Sequence, residues 1–333
     1  MQLPAILLFP IVTLLIATLG TRLLISILHR HEILDYPNDR SSHINPTPKG
    51  AGLAVMGGVF SVWIAVAQYY GEAETSLLLV VGIGFILCAV SWIDDIRNIS
   101  PLLRLILHFS AVISVMIAAP LPGPVFGGFI PDWADFAITV VIWVWFMNLF
   151  NFMDGIDGLA GVQALAIGFG IFILARKLGL GELLMVLGLT VAAATAGFLR
   201  WNWHPAKIFL GDVGSIPLGF AIGWLLLNLA ANGAWAPAII LPMYFLADAT
   251  LTLLKRVIRG EQLWKAHRDH FYQRAVASGL RHDQVVWTIA IANIFLIMLA
   301  IVAARGLPQA AILGAIGAVS MLVFLLVKGG PTD

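Results

Sequence analysis

About eleven apolar runs, each long enough to cross the hydrocarbon core of a bilayer, leave this chain little choice of fold. Such a core is about 30 Å thick and needs about 17–25 helical residues. Runs near 3–28, 50–70, 76–93, 102–119, 135–151, 159–175, 181–199, 214–230, 236–254, 285–304 and 308–328 meet that length. The residues are 60% hydrophobic and only 11% charged, against about 45–50% and about 25% in soluble domains. The expectation is an all-α, polytopic integral membrane protein, a single transmembrane domain over 1–333 with no internal repeat. The first run has no positive region ahead of it and no small-residue cleavage site behind it, so it is expected to stay as an anchor. The one cysteine, Cys88, lies inside an apolar run, which excludes an intrachain disulfide and suits a structural filler.

Lysine and arginine mark the cytoplasmic loops. They collect in alternate loops, with Arg30, Arg40, Lys49, Arg97, Arg200, Lys207 and a cluster from Lys255 to Arg281, which makes the loops near 29–49, 94–101, 152–158, 200–213 and 255–284 cytoplasmic. The opposite loops hold only Arg176, Lys177 and Arg305. The first terminus is therefore expected outside and the last inside. A net charge of +1 sorted in this way gives no footprint for nucleic acid.

Five aspartates interrupt the apolar pattern, all on the predicted cytoplasmic side: Asp94 and Asp95, Asp154 and Asp157, and Asp212. Carboxylates at a membrane interface repel one another unless a cation offsets them, and Mg²⁺ prefers one or two carboxylates plus water and substrate phosphates. In Asn151-Phe152-Met153-Asp154-Gly155-Ile156-Asp157-Gly158 the two carboxylates are three apart, which predicts one side of a helical turn. In Gly211-Asp212-Val213-Gly214-Ser215 an apolar helix follows, so its amides are expected to face a phosphate while Asp212 holds the metal. Lys49, Arg97 and Arg104 supply positive charge beside the carboxylates. His267 and His270, three apart in the longest polar stretch, suit metal or phosphate binding on one helix face, although two histidines without a cysteine argue against structural zinc. Asp248, inside the ninth run, needs a partner, for which Arg256 two turns on is a candidate.

Asp35-Tyr36-Pro37, Arg40-Ser41-Ser42-His43, Pro46-Thr47-Pro48, the Asp94-Asp95 pair, NFMDGIDGLAG, NWHPAKIFLGDVGS and the histidine loop follow one another between residues 35 and 270. In that order they resemble the polyprenyl-phosphate N-acetylhexosamine-1-phosphate transferase superfamily, glycosyltransferase family 4 type. The resemblance implies transfer of N-acetylhexosamine-1-phosphate from a UDP-sugar to polyprenyl (undecaprenyl) phosphate, with release of UMP, at the cytoplasmic face of a bacterial inner membrane. It implies Mg²⁺, with Mn²⁺ as a substitute, as cofactor, and UDP-N-acetylhexosamine, the lipid carrier and the membrane as partners; a homodimer is compatible with it.

Carried over by motif, Asp212 is the main metal ligand and Asp154 lies close to metal and diphosphate. Asn151, Asp157 and Asn202 line the nucleotide site, Phe209 stacks on uracil, and His267, Arg268 and His270 recognise the nucleotide sugar. Lys49 and Arg104 contribute charge to substrate binding. For Asp94 and Asp95 two roles are open: a base or holder of the lipid phosphate in direct attack, which we favour, or a nucleophile forming a covalent intermediate. His267-Arg268-Asp269-His270-Phe271 departs from the three-histidine run of enzymes using UDP-MurNAc-pentapeptide and is similar to O-antigen initiating enzymes using UDP-GlcNAc, UDP-FucNAc or UDP-QuiNAc. The peptidoglycan-type activity is the alternative within the superfamily. A cation-coupled transporter is the alternative outside it, but would place its carboxylates near the midplane between repeated halves.

Overall fold

The computed structural model describes residues 3–37, 45–71, 74–97, 99–262 and 267–328. In hydrocarbon no water satisfies a backbone N–H or C=O, so each apolar run closes its hydrogen bonds as a helix. In chain order these are α1 (Leu3–Arg30), α2 (Gly52–Tyr70), α3 (Glu74–Arg97), α4 (Pro101–Ala118), α5 (Asp132–Phe152), α6 (Leu159–Leu178), α7 (Glu182–Asn202) and α8 (Asp212–Ala231). They continue with α9 (Trp235–Ile240), α10 (Met243–Ile258), α11 (Phe271–Ala277), α12 (His282–Ala303) and α13 (Pro308–Lys328). The described residues hold one small antiparallel sheet, β1 (Leu34–Asp35) on β2 (Thr47–Pro48), with Leu34 opposite Pro48.

Among the described residues ten helices are long and apolar enough to span a membrane. The expected ninth span, 236–254, is instead broken into α9 and α10. Pro242 lacks the N–H that a continuous helix would use there, and it stands as the residue capping the start of α10. Together the two pieces return the chain to the side from which α12 departs, so they act as the ninth of eleven crossings. Local signals set other ends: Ser100 accepts from the Leu103 amide with Pro101 opening α4, and Gly179 closes α6 in the left-handed conformation.

Contacts between helix ends fix one common side. The starts of α2 and α8 meet the end of α3 through Lys49, Asp212 and Asp95. Arg104, near the start of α4, reaches Asp212. Asn151 at the end of α5 meets Ser215 on α8, Asn202 at the end of α7 meets Gly158, and His282 at the start of α12 meets Asp157. All five sequence-selected aspartates lie on this side.

Helix α8 is the hub: it is buried on every face and packs against α2, α3, α5 and α6. An apolar helix without a polar stripe belongs inside a bundle. The outer helices α1, α4, α12 and α13 instead leave residues such as Leu23, Ile106, Ile294 and Leu313 exposed on the lipid side. Cys88 is a buried free thiol, as expected.

The approach of α2 to α8 depends on Gly52 and Gly214, because a Cβ on Gly52 would lie 2.2 Å from backbone atoms of Gly214. Gly52→Ala therefore has to push two backbones apart. The expected cost is about 1–3 kcal/mol, seen as a lowered melting temperature of the detergent-solubilised protein; an unchanged melt would contradict this crossing.

Candidate active site

A backbone zipper lays Lys49 beside the start of α8. Phe209 N–H donates to the Pro48 carbonyl (2.8 Å), Gly50 and Ala51 donate to the Phe209 carbonyl (3.1 and 3.0 Å), and Gly52 donates to the Leu210 carbonyl (2.9 Å). The chain then turns at Gly211, φ 77°, where a Cβ would sit 3.0 Å from an Asp95 oxygen. Glycine serves both demands here. Asp95 accepts from the amides of Asp212 (3.2 Å) and Val213 (3.0 Å) and pairs with Lys49 Nζ at 2.6 Å. The amides expected to face a phosphate are thus occupied: Asp95, its side chain 5% exposed, caps α8 at the positive end of the helix dipole.

Asp94 is equally committed. It accepts from the Ile99 amide (2.6 Å) and from Arg104 Nη1 (2.9 Å). Arg104 Nη1 also reaches Asp212 Oδ2 at 3.4 Å, and Lys49 Nζ stands 3.9 Å from Asp212 Oδ1. The Asp94-Asp95 pair therefore aims two cations at Asp212 instead of presenting free carboxylates to a lipid phosphate. Burial works to lower the Lys49 pKa, but Asp212 and Asp95 outweigh it and hold the ammonium above its ordinary range. Lys49 stays charged at any physiological pH. Arg97, at the end of α3, is exposed.

Asp154 and Asp157 lie in the non-helical turn between α5 and α6, not on one side of a helical turn, and they point to different neighbours. Among the described residues no hydrogen bond or ion pair is made by the Asp154 carboxylate. Burial, then the charge of Asp212, pushes it well above the usual carboxylate range. Asp157 Oδ2 instead meets His204 Nδ1 (2.7 Å), His282 Nδ1 (3.3 Å) and the Ala206 amide (3.2 Å). Burial alone would raise Asp157, yet hydrogen bonds from His282 and His204 keep its pKa below the usual value. Asn202 is buried and uses its amide group to accept from the Gly158 N–H (2.8 Å) and donate to the Ile208 carbonyl (3.0 Å). Asp157 and Asn202 thus brace the loops of the site from behind. Asn151 Oδ1 accepts from Ser215 Oγ at 2.7 Å, and Phe209 is half-buried next to Lys49.

The histidine loop is brought to the same side. His270 caps α11, its Nδ1 3.0 Å from Asp248 Oδ1, and its ring lies between His267 (centroids 5.1 Å) and Tyr272 (5.6 Å). The histidines stack in a loop instead of sharing a helix face. Asp248 accepts further from Tyr244, Thr252 and the amides of Phe271 and Tyr272. Its partner is therefore His270, not Arg256, which turns to Asp269 and Glu261. Burial, then His270 and Arg256, lowers the His267 pKa to about 4, so the ring is neutral at neutral pH. Arg268 is exposed. Arg40, Ser41, Ser42, His43 and Lys265 lie outside the described residues.

Between these groups opens a cavity of about 630 Å³. Arg104, Asn148, Asn151, His267, His270 and Gln273 line its polar part, and Leu105, Phe109, Val141, Val144, Trp145, Ile216 and Leu253 its apolar part. A charged head on a long hydrocarbon matches that division.

A family model described as glycosyl transferase family 4 matches residues 77–230, from α3 through α8. A probable undecaprenyl-phosphate N-acetylglucosaminyl 1-phosphate transferase of Bacillus subtilis is 29% identical over 84% of this chain and 79% of its own length. A decaprenyl-phosphate N-acetylglucosaminephosphotransferase of Mycolicibacterium smegmatis is also 29% identical, over 76% and 71%. A phospho-N-acetylmuramoyl-pentapeptide-transferase of Microcystis aeruginosa is 28% identical over 76% and 77%. The chain is therefore similar to the polyprenyl-phosphate N-acetylhexosamine-1-phosphate transferase superfamily, with the match to the family model running from α3 through α8.

Members of this superfamily are metal-dependent, and the residues here fit a hard divalent cation. Asp154 and Asp212 offer oxygen only, they repel each other, and the Asp154 carboxylate has no hydrogen-bond partner among the described residues. The sequence by itself does not distinguish His204, His282 or Tyr272. Their roles come from contacts across 47 to 125 residues, which no local spacing encodes.

Asp95→Ala removes the acceptor for two amides of α8 and the partner of Lys49. It should cost about 1–3 kcal/mol of stability and lower the melting temperature more than Asp95→Asn, which keeps one acceptor oxygen. Equal melts for both variants and the parent would show that Asp95 is no cap.

Proposed function

We propose that the protein transfers an N-acetylhexosamine-1-phosphate from a UDP-sugar to a polyprenyl phosphate, releasing UMP and leaving a polyprenyl-diphosphate sugar in the membrane. The observation that carries this reading is Asp212, close enough to Asp154 to act on its charge and paired with Lys49 and with Arg104, which also lines the amphipathic cavity. A divalent cation, taken as Mg²⁺, would be held by Asp212 and Asp154 and would neutralise charge on the diphosphate.

The chain's own residues do the positioning. Arg104 and Lys49 draw in the lipid phosphate, and the apolar wall from Leu105 to Trp145 receives the first part of the hydrocarbon chain. An oxygen of the lipid phosphate attacks the β-phosphorus of the UDP-sugar, forming one P–O bond while the bond to the UMP oxygen breaks. A phosphate monoester has a second pKa of about 6, so the carrier reaches neutral pH largely as the dianion. No strong base is needed. The engagement of Asp94 and Asp95 by Arg104, Lys49 and backbone amides supports direct attack, with that pair orienting the cations. Phosphoryl transfer of this kind depends mainly on position and charge.

Asn151 and Phe209 are assigned to the nucleotide, with Asp157 and Asn202 fixing the loops around it. His267, Arg268 and His270 are assigned to the sugar; the neutral His267 donates or accepts without adding charge. The predominance of basic loops on this side supports a cytoplasmic active site in a bacterial plasma membrane. The names of the Bacillus and Mycolicibacterium relatives favour UDP-GlcNAc as donor.

Purified protein with Mg²⁺, undecaprenyl phosphate and a panel of labelled UDP-sugars should release UMP and label the lipid, with UDP-GlcNAc the best donor and UDP-MurNAc-pentapeptide inert. Asp212→Asn should lower turnover by at least about a thousandfold (about 4 kcal/mol) while the protein stays folded. Absence of labelled lipid with every N-acetyl donor, or near-normal turnover by the variant, would overturn the proposal.

A further inference from the structure

Asp157, His204 and His282 form a second cluster of donor atoms that phosphoryl transfer does not use directly. They come from three separate places: the turn between α5 and α6, the loop between α7 and α8, and the first residue of α12. Their ligand atoms all lie within 4.8 Å of one another, and the side chains of Asp157 and His282 are buried. The set combines two nitrogens with one carboxylate, unlike the oxygen-only pair of Asp154 and Asp212.

The distances favour a shared ion. Two bonds of about 2.0–2.1 Å at a tetrahedral angle place their donor atoms about 3.3–3.4 Å apart. His282 Nδ1 already stands 3.3 Å from Asp157 Oδ2. His204 Nδ1, at 2.7 Å, must withdraw slightly; its side chain is 30% exposed on a loop and has room to do so.

Hydrogen bonding alone leaves a conflict at His282. Its Nδ1 faces Asp157 Oδ2 at 3.3 Å and the Asp157 N–H at 3.4 Å. A hydrogen on Nδ1 suits the oxygen but opposes the N–H, whereas a lone pair suits the N–H but repels the oxygen. A cation between Nδ1 and Oδ2 removes the repulsion while the lone pair is used.

We propose that Asp157, His204 and His282 bind a transition-metal dication of the zinc class, with three protein ligands and one position left for water. Such an ion clamps together the turn that carries Asp154, the loop that leads into Asp212 and the start of α12. It is distinct from the hard cation of the phosphoryl-transfer site, and the test for it uses no substrate.

The full chain, solubilised in detergent and freed of metal by chelation, is titrated with Co²⁺ as a visible probe and then with Zn²⁺. Expected are one equivalent of Co²⁺ with the intense absorption of a tetrahedral nitrogen–oxygen site, displacement by Zn²⁺, and a rise in melting temperature. His204→Ala and His282→Ala should each weaken binding about tenfold or more, while Asp212→Asn should leave the band in place. His204 is exposed enough to be replaced without opening the core, so His204→Ala decides the matter even where His282→Ala does not fold. No tetrahedral band in the parent, or a band of full affinity in His204→Ala, would overturn the proposal. Either result leaves the transferase reading untouched, because UMP release with Mg²⁺ is measured separately.

Discussion

The carboxylate of Asp95 is the point on which the site's construction depends. It lies in the last turn of α3, closes the first turn of α8 through two amides and holds Lys49 at 2.6 Å, so three segments distant in sequence meet at one group. A buried carboxylate without partners would be costly. Here two N–H groups and an ammonium match it, and the helix dipole adds to the same sign. Because Asp212 is the first residue of α8, fixing that turn also fixes Asp212.

The five aspartates thereby divide by what satisfies them. Asp94 and Asp95 are compensated by Arg104, Lys49 and backbone amides, and Asp157 by two histidines and an amide. Among the described residues Asp154 has no such partner, and Asp212 shares its cations with the Asp94-Asp95 pair. Uncompensated charge is what a ligand site requires, since a group already paired gains little from a new partner. In the proposed function the cation goes to Asp154 and Asp212, and Arg104 joins Asp212 to the amphipathic cavity.

Much of this was legible in the chain. Run length gave the crossings, because hydrocarbon forces helices of a set length, and charge placement gave the shared face, because lysine and arginine sort by loop. The carboxylates were found because they are anomalous in an apolar sequence. Pairing was not legible. The sequence offered Arg256 to Asp248, where distance along a helix was the only guide, but the fold supplies His270 from 22 residues away. It offered the α8 amides to a phosphate, having no means to see Asp95 arrive from 117 residues upstream. Pro242 was visible, yet an apolar stretch long enough to span concealed the break it makes in the ninth crossing.

Divalent-cation binding by carboxylate variants tests the division of labour most directly. Mn²⁺, whose bound and free forms are distinguished by magnetic resonance, can be titrated into the parent and into Asp94→Asn, Asp154→Asn and Asp212→Asn in the presence of a UDP-sugar. Loss of binding in Asp154→Asn and Asp212→Asn with retention in Asp94→Asn is the predicted result. Retention in Asp154→Asn together with loss in Asp94→Asn would contradict the account.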